Sequence, residues 1–114
     1  VTPGAFDSAC RGLPGVTSVV QWGADQVYKV GGRIFAVVGQ GGLSIKVSDI
    51  AYEALIEIGA ARPAPYLARA KWVRFDDLAD LEDEETVAWI VQAHALIAAK
   101  LTRARRRELG IELS

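Results

Sequence analysis

Paired glycines set the register of this chain. Gly31-Gly32 separates the β-branched runs 27–30 and 33–38, and Gly39-Gln40-Gly41-Gly42 separates the second run from 43–47. A two-residue hairpin loop needs positive φ to match the twist of its strands, and glycine takes positive φ without steric cost. Both stretches therefore predict antiparallel hairpins. Within 43–47, Leu43, Ile45 and Val47 alternate with Ser44 and Lys46, the pattern of a half-buried strand. Residues 19–22 form one more run, turning at Gly23-Ala24-Asp25 into 27–30, so a four-stranded antiparallel meander is predicted.

Helical signals flank the meander. Thr2-Pro3 is a cap followed by proline at the first helical position, and Phe6, Ala9, Cys10 and Leu13 recur at helical spacing, predicting a helix over 3–12. Asp49 is placed as the cap of a second helix with Ile50, Ala54, Leu55 and Ile58 as its apolar stripe, ended by Gly59. Residues 62–65 read as irregular. Residues 71–75 read as a fifth strand with Lys71, Val73 and Phe75 on one face and Trp72 and Arg74 on the other. A long C-terminal helix, starting near Asp83 or Glu84 and ending near Arg107, carries Val87, Ile90, Val91, His94, Ile97, Ala98 and Leu101 on one face. The fold class is α+β: helix, four-stranded meander, helix, fifth strand, long C-terminal helix, in one domain over 1–114. A chain of 114 residues is long enough for one core.

Residue counts close off several chemistries. With one cysteine and one histidine, neither a four-cysteine zinc site nor an HExxH helix can be built. Any triad would have to recruit His94, which the helical stripe places as a packed core or rim residue. Cys10, on the buried side of the first helix, reads as a small core residue. Gly39-Gln40-Gly41-Gly42 lacks the Lys-Ser/Thr of a phosphate loop and precedes a strand, where such loops precede a helix. The pairs Asp76-Asp77 and Glu84-Glu85 lie in a solvated acidic run, without the desolvated carboxyl that general acid–base work needs. A non-enzymatic protein without cofactor or metal is expected. No apolar run approaches a membrane span, and no basic–apolar–small segment opens the chain, so a cytoplasmic protein without membrane contact is expected.

Charge is balanced in total, at −1, but unevenly distributed. Asp76, Asp77, Asp80, Glu82, Asp83, Glu84 and Glu85 fall in a stretch without Lys or Arg, and Lys100, Arg103, Arg105, Arg106 and Arg107 follow it. Acids at the start and bases at the end of one helix would complement its macrodipole. Elsewhere, basic and aromatic residues interleave on the strands. Lys29, Arg33, Lys46, Arg69, Lys71, Trp72 and Arg74 are the candidate nucleic-acid-binding residues, because cations beside flat rings suit phosphate contact with stacking.

At these positions the sequence resembles the MmcQ/YjbR family of small bacterial proteins. The resemblance runs through Leu13-Pro14-Gly15-Val16-Thr17, Trp22-Gly23, the ten residues from Val27 to Ala36, Leu43-Ser44-Ile45-Lys46, Pro65-Tyr66 and Lys71-Trp72-Val73. It implies a curved antiparallel sheet packed on helices, similar to the secretion-chaperone-like class, and a "double-wing" sheet surface credited with DNA binding. By position it carries Lys29, Lys46, Lys71 and Trp72 into that surface. Two features depart from the family: Ala68-Arg69-Ala70-Lys71 is less polar than is usual there, and the isoelectric point is about 5.8. DNA is thus the expected partner, at low affinity. The alternative is a protein-interaction or chaperone-like module using an exposed sheet edge and an aromatic patch around Trp72 and Tyr66. A monomer is expected.

Overall fold

The computed structural model describes residues 1–65 and 67–112. Its elements are α1 (Pro3–Arg11), β1 (Val16–Gln21), β2 (Asp25–Val30), β3 (Arg33–Gly39), β4 (Gly42–Lys46), α2 (Asp49–Glu57), β5 (Arg62–Pro63), β6 (Trp72–Phe75), α3 (Asp83–Ala98) and α4 (Arg103–Glu108). Short 3-10 turns at Ala68–Ala70 and Leu78–Asp80 flank β6. The strands form one sheet in the order β1-β2-β3-β4-β6-β5, with every pairing antiparallel. The α+β class and the meander stand as the sequence predicts.

The glycine turns do what their composition requires. Val30 pairs with Arg33 across Gly31-Gly32, and Gly39 pairs with Gly42 across Gln40-Gly41. All four loop residues have positive φ, between 53° and 83°. A register shift between Tyr28 and Lys29 sets Tyr28 opposite Ala36 and Lys29 opposite Ile34. Phe35 is the extra residue of that bulge, and Phe35 and Ala36 both enter the main core.

One face of the sheet carries the core. Thr2 caps α1 by accepting the Ala5 N–H, and Phe6 and Cys10 face inward. Phe6 meets Tyr28 edge-on at 5.4 Å, Tyr28 lies 6.5 Å from Phe35, and Phe35 meets the His94 ring edge-on at 5.9 Å. The two polar members of this aromatic line are paired. The Tyr28 hydroxyl donates to Asp7 Oδ1 at 2.9 Å, and Arg11 Nε donates to Asp7 Oδ2 at 2.8 Å. Nε2–H of His94 donates to the Pro14 carbonyl at 2.8 Å, fixing α3 to the loop after α1. His94 is thus a packed core residue, as its place on the stripe suggests. Burial pushes the Cys10 thiol up to about 12, so it is an inert core group.

Several details differ from the sequence reading. The first strand runs over Val16–Gln21 instead of 19–22, with Trp22 in the turn after it at φ 51°. The long C-terminal helix ends at Ala98, and Thr102 caps a separate α4 by accepting the Arg105 N–H. The buried stripe of α3 is Thr86, Ile90, Ala93, His94, Ile97 and Ala98, which leaves Val87 and Val91 exposed. On α2 the cap is Ser48, and Ala51, Tyr52, Leu55 and Ile56 face the core while Ile50 and Ile58 face outward. Both stripes of α2 are comparably apolar, so packing rather than periodicity chooses between them. Finally, residues 62–63 form a short edge strand, and Lys71 lies outside β6 in the left-handed conformation at φ 63°. Among the described residues, no helix is long and apolar enough to cross a membrane.

The Tyr28–Asp7–Arg11 contact makes a pH prediction. The Arg11 hydrogen bond, opposed in part by burial and supported by Tyr28, holds the Asp7 carboxyl below its ordinary 3.8. A depressed carboxylate stabilises the fold above its unfolded value, and that contribution is lost as pH falls through the folded value. Tyr28→Phe is expected to cost about 1–2 kcal/mol in urea unfolding at pH 7. The difference from the parent should shrink as pH falls from the ordinary 3.8 through the lower folded value, below which Asp7 is protonated in both states.

Candidate nucleic-acid interface

Strand direction sorts the charges toward two ends of a molecule 38 Å long. β2 ends, β3 begins, β4 ends and β6 begins at the Gly31-Gly32 turn, as the pairings Val30 with Arg33 and Lys46 with Trp72 show. Lys29, Arg33, Lys46 and Lys71 belong to that end. α3 starts at the other end, where the Leu78 N–H donates to the Gly41 carbonyl, and runs about 24 Å toward the Gly31 turn.

Glycine at position 31 brings α4 to the same end. A Cβ there would lie 2.7 Å from Leu101 Cδ1 and 3.3 Å from Leu109 Cδ1, and at Gly15 it would lie 3.0 Å from Leu109 Cβ. The leucines flanking α4 thus pack on two bare stretches of backbone, holding Arg103, Arg105, Arg106 and Arg107 beside the hairpin. Arg106 turns inward and donates to the Leu101 carbonyl, with a longer contact to Ala99 O. The charge complement expected at the C-terminus of α3 therefore comes from the next helix. Arg103, Arg106, Arg107, Gly110, Ile111 and Glu112 line a shallow hollow of about 510 Å³. Among the acids at this end, Glu108 pairs with Arg105 and Asp49 acts on Lys46.

Lys71 and Lys100 both lie near enough to act on Lys46. Lys46 Nζ donates to the Ala70 carbonyl, and Lys71 Nζ sits 4.9 Å from the centre of the Tyr52 ring. Burial, then the neighbouring Lys100, and finally Lys71 lower the Lys46 pKa, against a counteracting pull from Asp49. Arg69 is exposed on the 3-10 turn immediately before Lys71.

Two of the candidate residues sit differently from the open sheet face expected of them. Trp72 is 6% exposed, and its ring is packed away from solvent. Arg74 is enclosed, with 15% of its side chain exposed; it donates to the Gly39 carbonyl at 2.9 Å and approaches Asp76 at 3.7 Å. It fits there because Gly42 has no side chain: a Cβ would press on its guanidinium. Asp76 also takes the Arg62 guanidinium at 2.8 Å, so Arg62, Arg74 and Asp76 form one ion network at the acidic end. Tyr66, the other half of the expected aromatic patch, lies outside the described residues. The exposed aromatic of the sheet is Trp22, 65% exposed in the β1–β2 turn.

Lys100 also joins this basic group, where the sequence reading does not place it. Its signal was the break at Leu101-Thr102, where Thr102 is a residue type that caps helices. In the acidic end, Asp76, Asp77, Asp80, Glu82 and Glu85 line a common hollow beside Phe75 and Leu81. Among the described residues, no group of three or more His, Cys, Asp or Glu is arranged to hold a metal.

Lys46 is expected to be more costly to the fold than an uncharged residue. Its lowered pKa means that the unfolded chain binds its proton more readily, so stability rises with pH from the folded value up to the ordinary 10.5. Lys46→Met should therefore leave the melting temperature at pH 7 unchanged or raised, and the difference should narrow as pH approaches 10.5. Thermal unfolding followed by circular dichroism checks this, and a fall of several degrees at pH 7 would contradict it.

Comparisons with known proteins agree with this architecture. The crystal structure of the Deinococcus radiodurans protein DR2400, described as carrying a DUF419 domain, superposes with a TM-score of 0.81. It is 24% identical in sequence, over 94% of this chain and 86% of that one, so the likeness is one of fold. No curated protein matches the chain. The YjbR family model matches residues 11–96, which takes in the whole sheet, α2 and most of α3. On that match, the chain belongs to the YjbR family.

Proposed function

We propose that this domain binds nucleic acid, DNA in the first instance, through the basic end formed by the Gly31-Gly32 hairpin, the Lys46–Lys71–Lys100 group and α4. One observation carries the reading: cations distant in sequence are gathered at one end, while the acidic run is carried to the other. A polyanion senses local potential rather than net charge, so a total of −1 is compatible with binding there. Lys46 supports the same reading, since burial and two nearby lysines lower its pKa there. No base-reading element stands out, and phosphate contact is the recognition that lysine and arginine supply in this arrangement. Trp72 and Arg74 act in this account from beneath the surface, as packing and ion-network residues.

A protein-docking module is the second reading. It is favoured by β1, an edge strand with Val19 and Val20 exposed and Trp22 exposed in the turn that follows.

Fluorescence anisotropy with a labelled duplex tests the first reading. Five or six phosphate contacts predict a slope of log affinity against log salt of about −5. Lys71→Gln with Lys100→Gln should weaken binding at low salt and flatten that slope by about 2, one unit for each lost contact. Arg62→Gln, at the acidic end, should leave the slope unchanged. Equal losses for the two variants, or no binding at the lowest salt, would reject the basic end as the site.

A further inference from the structure

The two edges of the sheet are built differently. β5 is two residues long, Arg62–Pro63, and carries both a charge and a proline, the usual means of blocking edge-to-edge pairing. β1 is six residues long, VTSVVQ, and has neither. Val19 is 41% and Val20 59% exposed along it. Val19 pairs with Val27 and Val27 with Val37, so an apolar row on the sheet face away from the helices ends at an open edge.

We propose that β1 pairs with β1 of a second copy of this chain, antiparallel about a two-fold axis at Val19, joining the two sheets. This inference stands independently of the nucleic-acid reading. It is carried by charge complementarity. β1 runs from the basic end, where Val16 pairs with Val30, to the acidic end, where Gln21 pairs with Asp25. Antiparallel pairing reverses that direction in the second copy, setting the basic end of each chain beside the acidic end of the other. Parallel pairing would set like ends together.

Register follows from alternation. A two-fold at Val19 keeps residues of one face together. It places Gln21 opposite Thr17 of the second copy and continues the Val37–Val27–Val19 row across the interface. Asp25 then shares a row with Lys29 of the second copy, about 14 Å away at ordinary strand spacing. At that distance the attraction is felt at low salt and screened at high salt. The proposal departs from the monomer expected from the sequence.

Sedimentation velocity of the full chain, from low micromolar to near-millimolar concentration, tests the proposal. The expected result is a two-chain species that grows with concentration, is favoured by low salt, and is weakened about tenfold or more by Val19→Lys. Oxidative cross-linking gives an independent reading of register, because directly opposed residues of an antiparallel pair have Cα separations of about 4.5–5.5 Å, within reach of a disulfide. Val19→Cys should cross-link readily and Val20→Cys slowly, since Val20 opposes Ser18; the buried Cys10 of the parent serves as background. A chain that stays monomeric throughout would overturn the proposal. So would a dimer indifferent to Val19→Lys, association strengthened by salt, or equal cross-linking at positions 19 and 20.

Discussion

Leu101 and Leu109 occupy the space that Gly31 leaves by having no side chain, and the polarity of this molecule depends on that contact. α3 ends at Ala98, and without a docking surface the next residues would have no reason to fold back. Bare backbone at Gly31 and Gly15 supplies one. Thr102 then starts α4, Arg106 satisfies carbonyls left open at the end of α3, and Ile111 reaches the core with 7% exposure. Four arginines are thereby fixed beside the hairpin instead of trailing from a helix.

Glycine shapes the opposite end as well. Gly39 and Gly42 face each other across the β3–β4 turn, and a Cβ at either would collide with Asp25 or Arg74. Charged groups are laid flat on the sheet there and tied into the Arg62–Arg74–Asp76 network. The outer sheet face accordingly offers little free cation at its acidic half. Lysines near the Gly31 turn remain available, one of them desolvated and repelled by its neighbours.

Much of the fold was legible because positive φ leaves a residue signature. Gly31-Gly32 and Gln40-Gly41 announce their hairpins, and Thr2-Pro3 announces α1. Where two answers were nearly equal in local energy, the sequence reading chose without the deciding contact. On α2 the predicted stripe Ile50, Ala54, Leu55, Ile58 shares Leu55 with the packed one, Ala51, Tyr52, Leu55, Ile56, and core shape decides between their other members. In β6 both Val73 and Trp72 are buried, on opposite faces, so alternation alone could not say that Trp72 is covered. The candidate list therefore joins lysines that the fold gathers at one end with two residues that it encloses, and it leaves out Lys100, whose place depends on a helix break marked by one threonine.

The most direct test of the account is to map a bound duplex onto the chain by backbone amide shifts at low salt. Shifts concentrated at Gly31, Gly32, Lys46, Lys71, Lys100 and the residues of α4 are predicted, with Asp25, Ser44, Arg74 and the acidic start of α3 unmoved. Shifts centred on Ser44 and Arg74, with the hairpin and α4 silent, would contradict the claim that charge gathered at one end of the fold makes the binding surface.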